Sequence, residues 1–64
     1  MVTLISTRTR KALSHGITEH EAIKALIRKS IAQDRREGKK ASKWDNARFI
    51  HAMILKGRID TIEE

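Results

Sequence analysis

The chain is predicted to be all-α: one small three-helix domain spanning residues 1–64, with its last two helices forming an antiparallel helical hairpin. Three observations predict this. Thr18 and Ser42 each stand three residues before an acid, Glu21 and Asp45. At that spacing a hydroxyl and a carboxylate satisfy amides left free by a first helical turn. Gly38 and Gly57 follow the two stretches as left-handed stops. Between start and stop, apolar residues recur at three and four: Ile23, Leu26, Ile27 and Ile31, then Ala47, Phe49, Ile50, Met53 and Ile54.

Taken in order, Met1 to Ser6 is a row of β-branched and apolar residues that suits a short strand. A lone strand leaves its backbone groups unpaired, so it requires a partner. Two are on offer, residues 58–62 or the same strand of a second copy. Residues 7–15 are expected to form a short helix closed by Gly16. The central helix runs from 18 to 37, with Ile17 placed to staple its entry and Ala22 and Ser30 filling its apolar stripe. A short basic connection leads to the third helix, 43–56. The final IDTIEE is acidic and expected to fray. The core, with any dimer interface, is expected from Leu13, Ile23, Leu26, Ile27, Ile31, Trp44, Phe49, Ile50, Met53 and Ile54.

A chain of 64 residues buries only about 60% of its unfolded surface and is marginal alone. It has no cysteine, so neither a disulfide nor a thiolate metal site can brace it, and close packing or self-association must do so. Its apolar runs are too short to cross a bilayer or to form a signal-peptide core, which points to a soluble, cytoplasmic protein. His15, His20 and His51 have no second ligand at metal-binding spacing, and Glu19 and Glu21 suit the positive end of a helix. The glycines are isolated, with no phosphate-cradling loop. No enzymatic activity and no cofactor are expected.

Fourteen Lys and Arg against eight Asp and Glu give a net charge of +6, which suits an anionic partner, nucleic acid first, although basic surfaces also serve solubility. Arg8, Arg10 and Lys11 form one cluster, and alternation in an extended segment would turn both guanidinium groups one way. Arg35, Arg36, Lys39, Lys40 and Lys43 form the other. Its first two members are explained by the negative end of the central helix; the three lysines precede a helix start, where cations are mildly unfavourable. Trp44 and Phe49 are the sole aromatic residues and fall at core-like positions, so base stacking is not expected.

The third helix carries more apolar surface than one neighbour covers, with Trp44 and Leu55 lying beside Arg48 and His51. Trp44, Phe49, Met53 and Leu55 are therefore the candidate partner or dimer surface, unless Val2, Leu4, Ile5 and Leu13 fold over it.

Two family resemblances follow from the middle of the chain. KALSHGITEHEAIKAL resembles the turn of a helix-turn-helix through Ala12, Gly16, Ile17, Thr18 and Ala22, although Ile23 and Leu26 fall one place late and Glu19 and Glu21 would face DNA. Gly16, Ile17, Thr18, Glu21, Ala22, Ile23 and Lys24 also resemble the second helix of ribbon-helix-helix repressors. That resemblance implies a dimer whose paired strands enter the major groove. About nine residues separate the strand from Gly16, too few for that family's first helix. Each resemblance covers at most half of the chain.

The leading expectation is a small nucleic-acid-binding or accessory regulator of the compact kind encoded by phages and plasmids, binding duplex phosphates in a salt-sensitive way. The competing one is a protein-binding modulator, an inhibitor or adaptor that docks the spare apolar face of the third helix on a larger protein. Leu26→Ala is predicted to cost about 2–5 kcal/mol if Leu26 belongs to the core. An unchanged melting temperature would remove that face from the core.

Overall fold

Val2–Ser6 is built to be a strand, since Val, Thr and Ile are stiff, branched side chains that fit a pleated surface. The computed structural model, which describes residues 1–64, places it at the centre of a three-stranded antiparallel sheet. In chain order the elements are β1 (Val2–Ser6), β2 (Ala12–Gly16), α1 (Glu19–Arg36), α2 (Lys43–Leu55) and β3 (Ile59–Glu63), with sheet order β2-β1-β3. The fold is therefore α+β, and the all-α, three-helix prediction is corrected. Two of the three predicted helices exist, at nearly the predicted bounds.

The segment predicted as a 7–15 helix is instead a hairpin turn and a strand. Its backbone closes on β1: Ser6 N–H donates to the Lys11 carbonyl at 3.0 Å and Arg10 N–H to the Ser6 carbonyl at 2.8 Å. Arg10 takes a left-handed conformation, φ 61°, where glycine would be more usual. Leu4 faces Ser14 while Ile5 faces Ala12, so Leu13 is the extra residue of a bulge. The inward residue of β2 is Ser14, buried and donating through its hydroxyl to the Ala22 carbonyl at 2.7 Å.

The far edge of β1 is taken by β3, in register from Val2↔Glu63 to Ser6↔Ile59. Residues predicted to fray are thus held in the sheet. Both edges of β1 are occupied within one chain, so pairing with a second copy's β1 is not the solution adopted.

Both helices are delimited by the local signals. Thr18 Oγ1 accepts from Glu21 N–H at 3.2 Å and Ser42 Oγ from Asp45 N–H at 3.3 Å. The capping box at Thr18 is half formed, because the Glu21 carboxylate lies 3.8 Å from Lys24 Nζ. Ile17, predicted to staple the entry, is 82% exposed. At Gly38 (φ 74°) the chain closes with Gly38 N–H to Arg35 O at 3.2 Å and Lys39 N–H to Asp34 O at 2.8 Å, a Schellman stop. Gly57 repeats it with Ile54 and Met53. Asn46 Nδ2 braces the two helices, donating to the Ser42 carbonyl at 2.8 Å and to Asp34 Oδ2 at 3.3 Å.

Successive strand residues point to opposite faces, and the face carrying Val2, Leu4 and Ile59 is the one the helices cover with Ala22, Ile27 and Ile50. Of the predicted core, Ile27 and Ile50 are buried; Leu13, Ile23, Leu26, Ile31, Met53 and Ile54 pack partly buried around them. Trp44 and Phe49, at 80% and 64% exposure, are not core residues. The sheet supplies what a third helix was expected to supply, so α2 needs only its Ile50 side inward. Trp44 lies about 120° around the helix from that side.

Gly16 sets the distance between β2 and α1. A Cβ there would stand 2.7 Å from the Glu21 carbonyl carbon and 2.9 Å from Ala22 Cα, both backbone atoms that cannot swing aside. Gly16→Ala is predicted to cost about 1–3 kcal/mol through overpacking. Leu4→Ala, at a wholly buried site, is predicted to cost about 2–5 kcal/mol, more than Leu26→Ala at its half-buried one. Urea midpoints of the three variants check the order; a Gly16→Ala midpoint equal to that of the parent chain would contradict the close approach.

Candidate nucleic-acid interface

All fourteen Lys and Arg side chains are exposed, and only two make an ion pair. These are Lys24 with Glu21 at 3.8 Å and Lys39 with Glu37 at 3.0 Å. Lys29 is also engaged, donating to the Leu13 carbonyl at 2.8 Å. Exposed pairs in water contribute little, so the basic surface is largely uncompensated.

Tertiary structure sorts the predicted cations into groups that sequence order does not give. The hairpin turn docks on the junction between α2 and β3: Thr7 N–H donates to the Arg58 carbonyl and Thr7 Oγ1 to the Gly57 carbonyl, each at 3.0 Å. Arg8 thereby meets Arg58 across a hollow that Ser6 and Met53 complete. Arg10 and Lys11 stand in the same turn. The segment is not an extended arm, and the left-handed Arg10 breaks the alternation on which a shared direction for Arg8 and Arg10 depended.

The second group forms where the start of α2 meets the middle of α1. Lys43, Lys24 and Arg28 line one open groove of about 300 Å³, floored by Ile27 and Ile31, with no acid in its lining. Arg36 lies on another side of α1, beside Lys29, Gln33 and Glu37. Arg35 and Lys40 are exposed and unpaired. Of the predicted cluster, Lys43 alone joins the groove. Lys24 and Arg28 complete it, and their spacing of four on α1 was visible in the sequence; that α2 would bring Lys43 to them was not. Arg58 was likewise missed, since nothing local marks it as a neighbour of Arg8.

Lys39 is the cation most tied to the protein itself. Its hydrogen bond, then one from Gln33, then its charge hold the Glu37 carboxyl below the usual range, and the same bond raises the Lys39 ammonium. Both side chains are open to solvent, so the pair is screened by water.

Of the predicted partner surface, Trp44, Phe49 and Leu55 are exposed, at 80%, 64% and 88%. Met53 is half-buried and packs on the core. Trp44, Arg48, His51 and Leu55 follow one another at spacings of four, three and four, which sets them on one stripe of α2. His15 stands on the sheet face opposite the helices, its Nδ1 3.0 Å from Thr3 Oγ1. No helix is long and apolar enough to cross a membrane.

Comparison with protein-family models, with curated proteins and with solved structures finds no match. The geometry also separates the chain from both resemblances. Residues 12–16 are a strand where a helix-turn-helix needs a helix, and β1 pairs with β2 and β3 of its own chain, leaving β1 itself no free edge for an intermolecular ribbon.

Replacing Lys39 by alanine is predicted to move the Glu37 titration up toward an ordinary carboxylate. A carboxyl lowered by folding stabilises the fold above its unfolded value and loses that contribution as pH falls through its folded value, so the effect is confined to the acid limb. Side-chain NMR titration of Glu37 in both proteins checks it; identical curves would dissolve the pair.

Proposed function

We propose that the chain is a small, non-enzymatic nucleic-acid-binding protein that takes phosphates on its exposed cations. The observation that carries this reading is the groove in which Lys24, Arg28 and Lys43 converge with no acid among its lining residues. Like charges brought together from two helices repel one another; only Lys24 has an acid partner, Glu21 at 3.8 Å, so Arg28 and Lys43 are left for a phosphate to neutralise. Arg8, Arg10, Lys11 and Arg58 supply a second basic patch on the hairpin side, and Arg35, Arg36 and Lys40 extend the charge along the end of α1. Such contacts position a nucleic acid without reading its sequence.

A second reading has its own support. Leu55, 88% exposed, has no use in a phosphate contact, and with Trp44 it offers an apolar anchor for a protein partner or a second copy. In that case the cations steer encounter with an acidic surface.

Anisotropy of a labelled oligonucleotide, measured over a range of salt, is predicted to show affinity falling steeply as salt rises. Replacing Lys24, Arg28 and Lys43 together by glutamine should lower the logarithmic salt slope by about 3. Absence of binding at low ionic strength would end the reading, and an unchanged slope would remove the groove from it. Leu55→Ser should leave this binding intact. On the second reading it should abolish association with the partner, or self-association seen by sedimentation at several concentrations.

A further inference from the structure

We propose that Trp44 is a stacking platform for an unpaired base whose flanking phosphates sit on Lys43, Lys24 and Arg28, so that the nucleic acid taken is single-stranded. This rests on the nucleic-acid reading above and specifies its substrate.

Trp44 presents the largest side chain in the protein to solvent at 80% exposure, although a ring of that size loses most by standing in water. The fold has no need of it there, since Ile50 is the residue α2 buries. Trp44 directly follows Lys43, which lines the cationic groove with Lys24 and Arg28. Arg48 stands one turn further along the same stripe. An aromatic face beside a run of cations is the arrangement that holds single strands, because every base offers a π-face and every nucleotide a phosphate. A duplex keeps its bases stacked on one another and presents only phosphates and edges, for which an exposed indole face is of no use.

Charge also selects among occupants. Within its stripe Trp44 is followed by Arg48 and His51, and Lys43, the residue before it, lines a groove with Lys24 and Arg28. A second copy would bring the same charges against these. Two acids lie nearby: Asp45, about 100° around the helix from Trp44, and Glu21, which faces Lys24 at 3.8 Å. Neither lines the groove.

The chain contains one tryptophan and no tyrosine, so its intrinsic emission reports on Trp44 alone. The experiment titrates the full chain with oligothymidylate about 12 nucleotides long, with a duplex of the same length and with inorganic polyphosphate, following Trp44 emission. Binding is measured separately, by anisotropy of the labelled oligonucleotides and by competition for polyphosphate. The single strand is expected to quench Trp44, while polyphosphate binds without quenching. Trp44→Ala is expected to weaken single-strand binding about 5- to 150-fold and to leave polyphosphate binding unchanged, with Trp44→Phe in between. Salt-sensitive binding with unquenched Trp44 and an undiminished Trp44→Ala variant would overturn the stacking inference and leave the nucleic-acid reading standing. Tighter binding of duplex than of single strand would do the same. No binding of either oligonucleotide at low salt would overturn both, and quenching by a protein partner instead would then favour the second reading.

Discussion

The pairing of β1 on both edges is the constraint on which the remaining structure depends. In so short a chain one strand must find two partners or leave backbone groups exposed to competition from water and from other chains. The chain solves this by folding residues 12–16 back immediately and by returning residues 59–63 after both helices. The face of β1 that carries Val2 and Leu4 then collects the helices, and the core is a sheet-to-helix layer rather than a helix-to-helix one. Two contacts hold the layers at their spacing. Gly16 lets β2 run close beneath the first turn of α1, and the Ser14 hydroxyl satisfies itself on Ala22 at the point of closest packing.

The helices were legible in the sequence because their signals are local. Thr18, Ser42, Gly38 and Gly57 act within a few residues of where they stand, and all four take the roles their chemistry suggests. The sheet was legible only in part: Val2–Ser6 reads as a strand with residues 58–62 as one possible partner, whereas β2 was hidden and a helix was expected in its place. Ala12 to Gly16 contains no β-branched residue and no Phe, Tyr or Trp, its buried member is a serine whose partner lies on the helix, and the bulge at Leu13 breaks any alternation. The hairpin turn carries no glycine, the left-handed position being filled by Arg10. The last strand is disguised by its acids, since only Ile59 is buried. In α2 the apolar arc was wide enough to hide which side is inward, and only the sheet beneath decides for Ile50 over Phe49 and Trp44.

The same distinction runs through the candidate interface. Charge and its clustering are properties of the sequence, but which cations face one cavity is a property of packing. The run from Arg35 to Lys43 divides: Lys43 turns to Lys24 and Arg28, Arg36 lies elsewhere on α1, and Lys39 is engaged by Glu37. Trp44, next in sequence to the groove residue Lys43 and 80% exposed, is what the proposed stacking would add to charge alone.

The sheet holds the fold together while the proposed single-strand site lies on the helices, and backbone and indole nitrogen-proton correlation spectra recorded with and without single-stranded oligonucleotide test that division most directly. The largest shifts are predicted at Lys24, Arg28, Lys43 and the Trp44 indole, with Thr3, Leu4 and Ile5 unmoved. Shifts concentrated on the open sheet face, at Ile5, His15 and Ile62, or no shifts at saturating oligonucleotide, would contradict it.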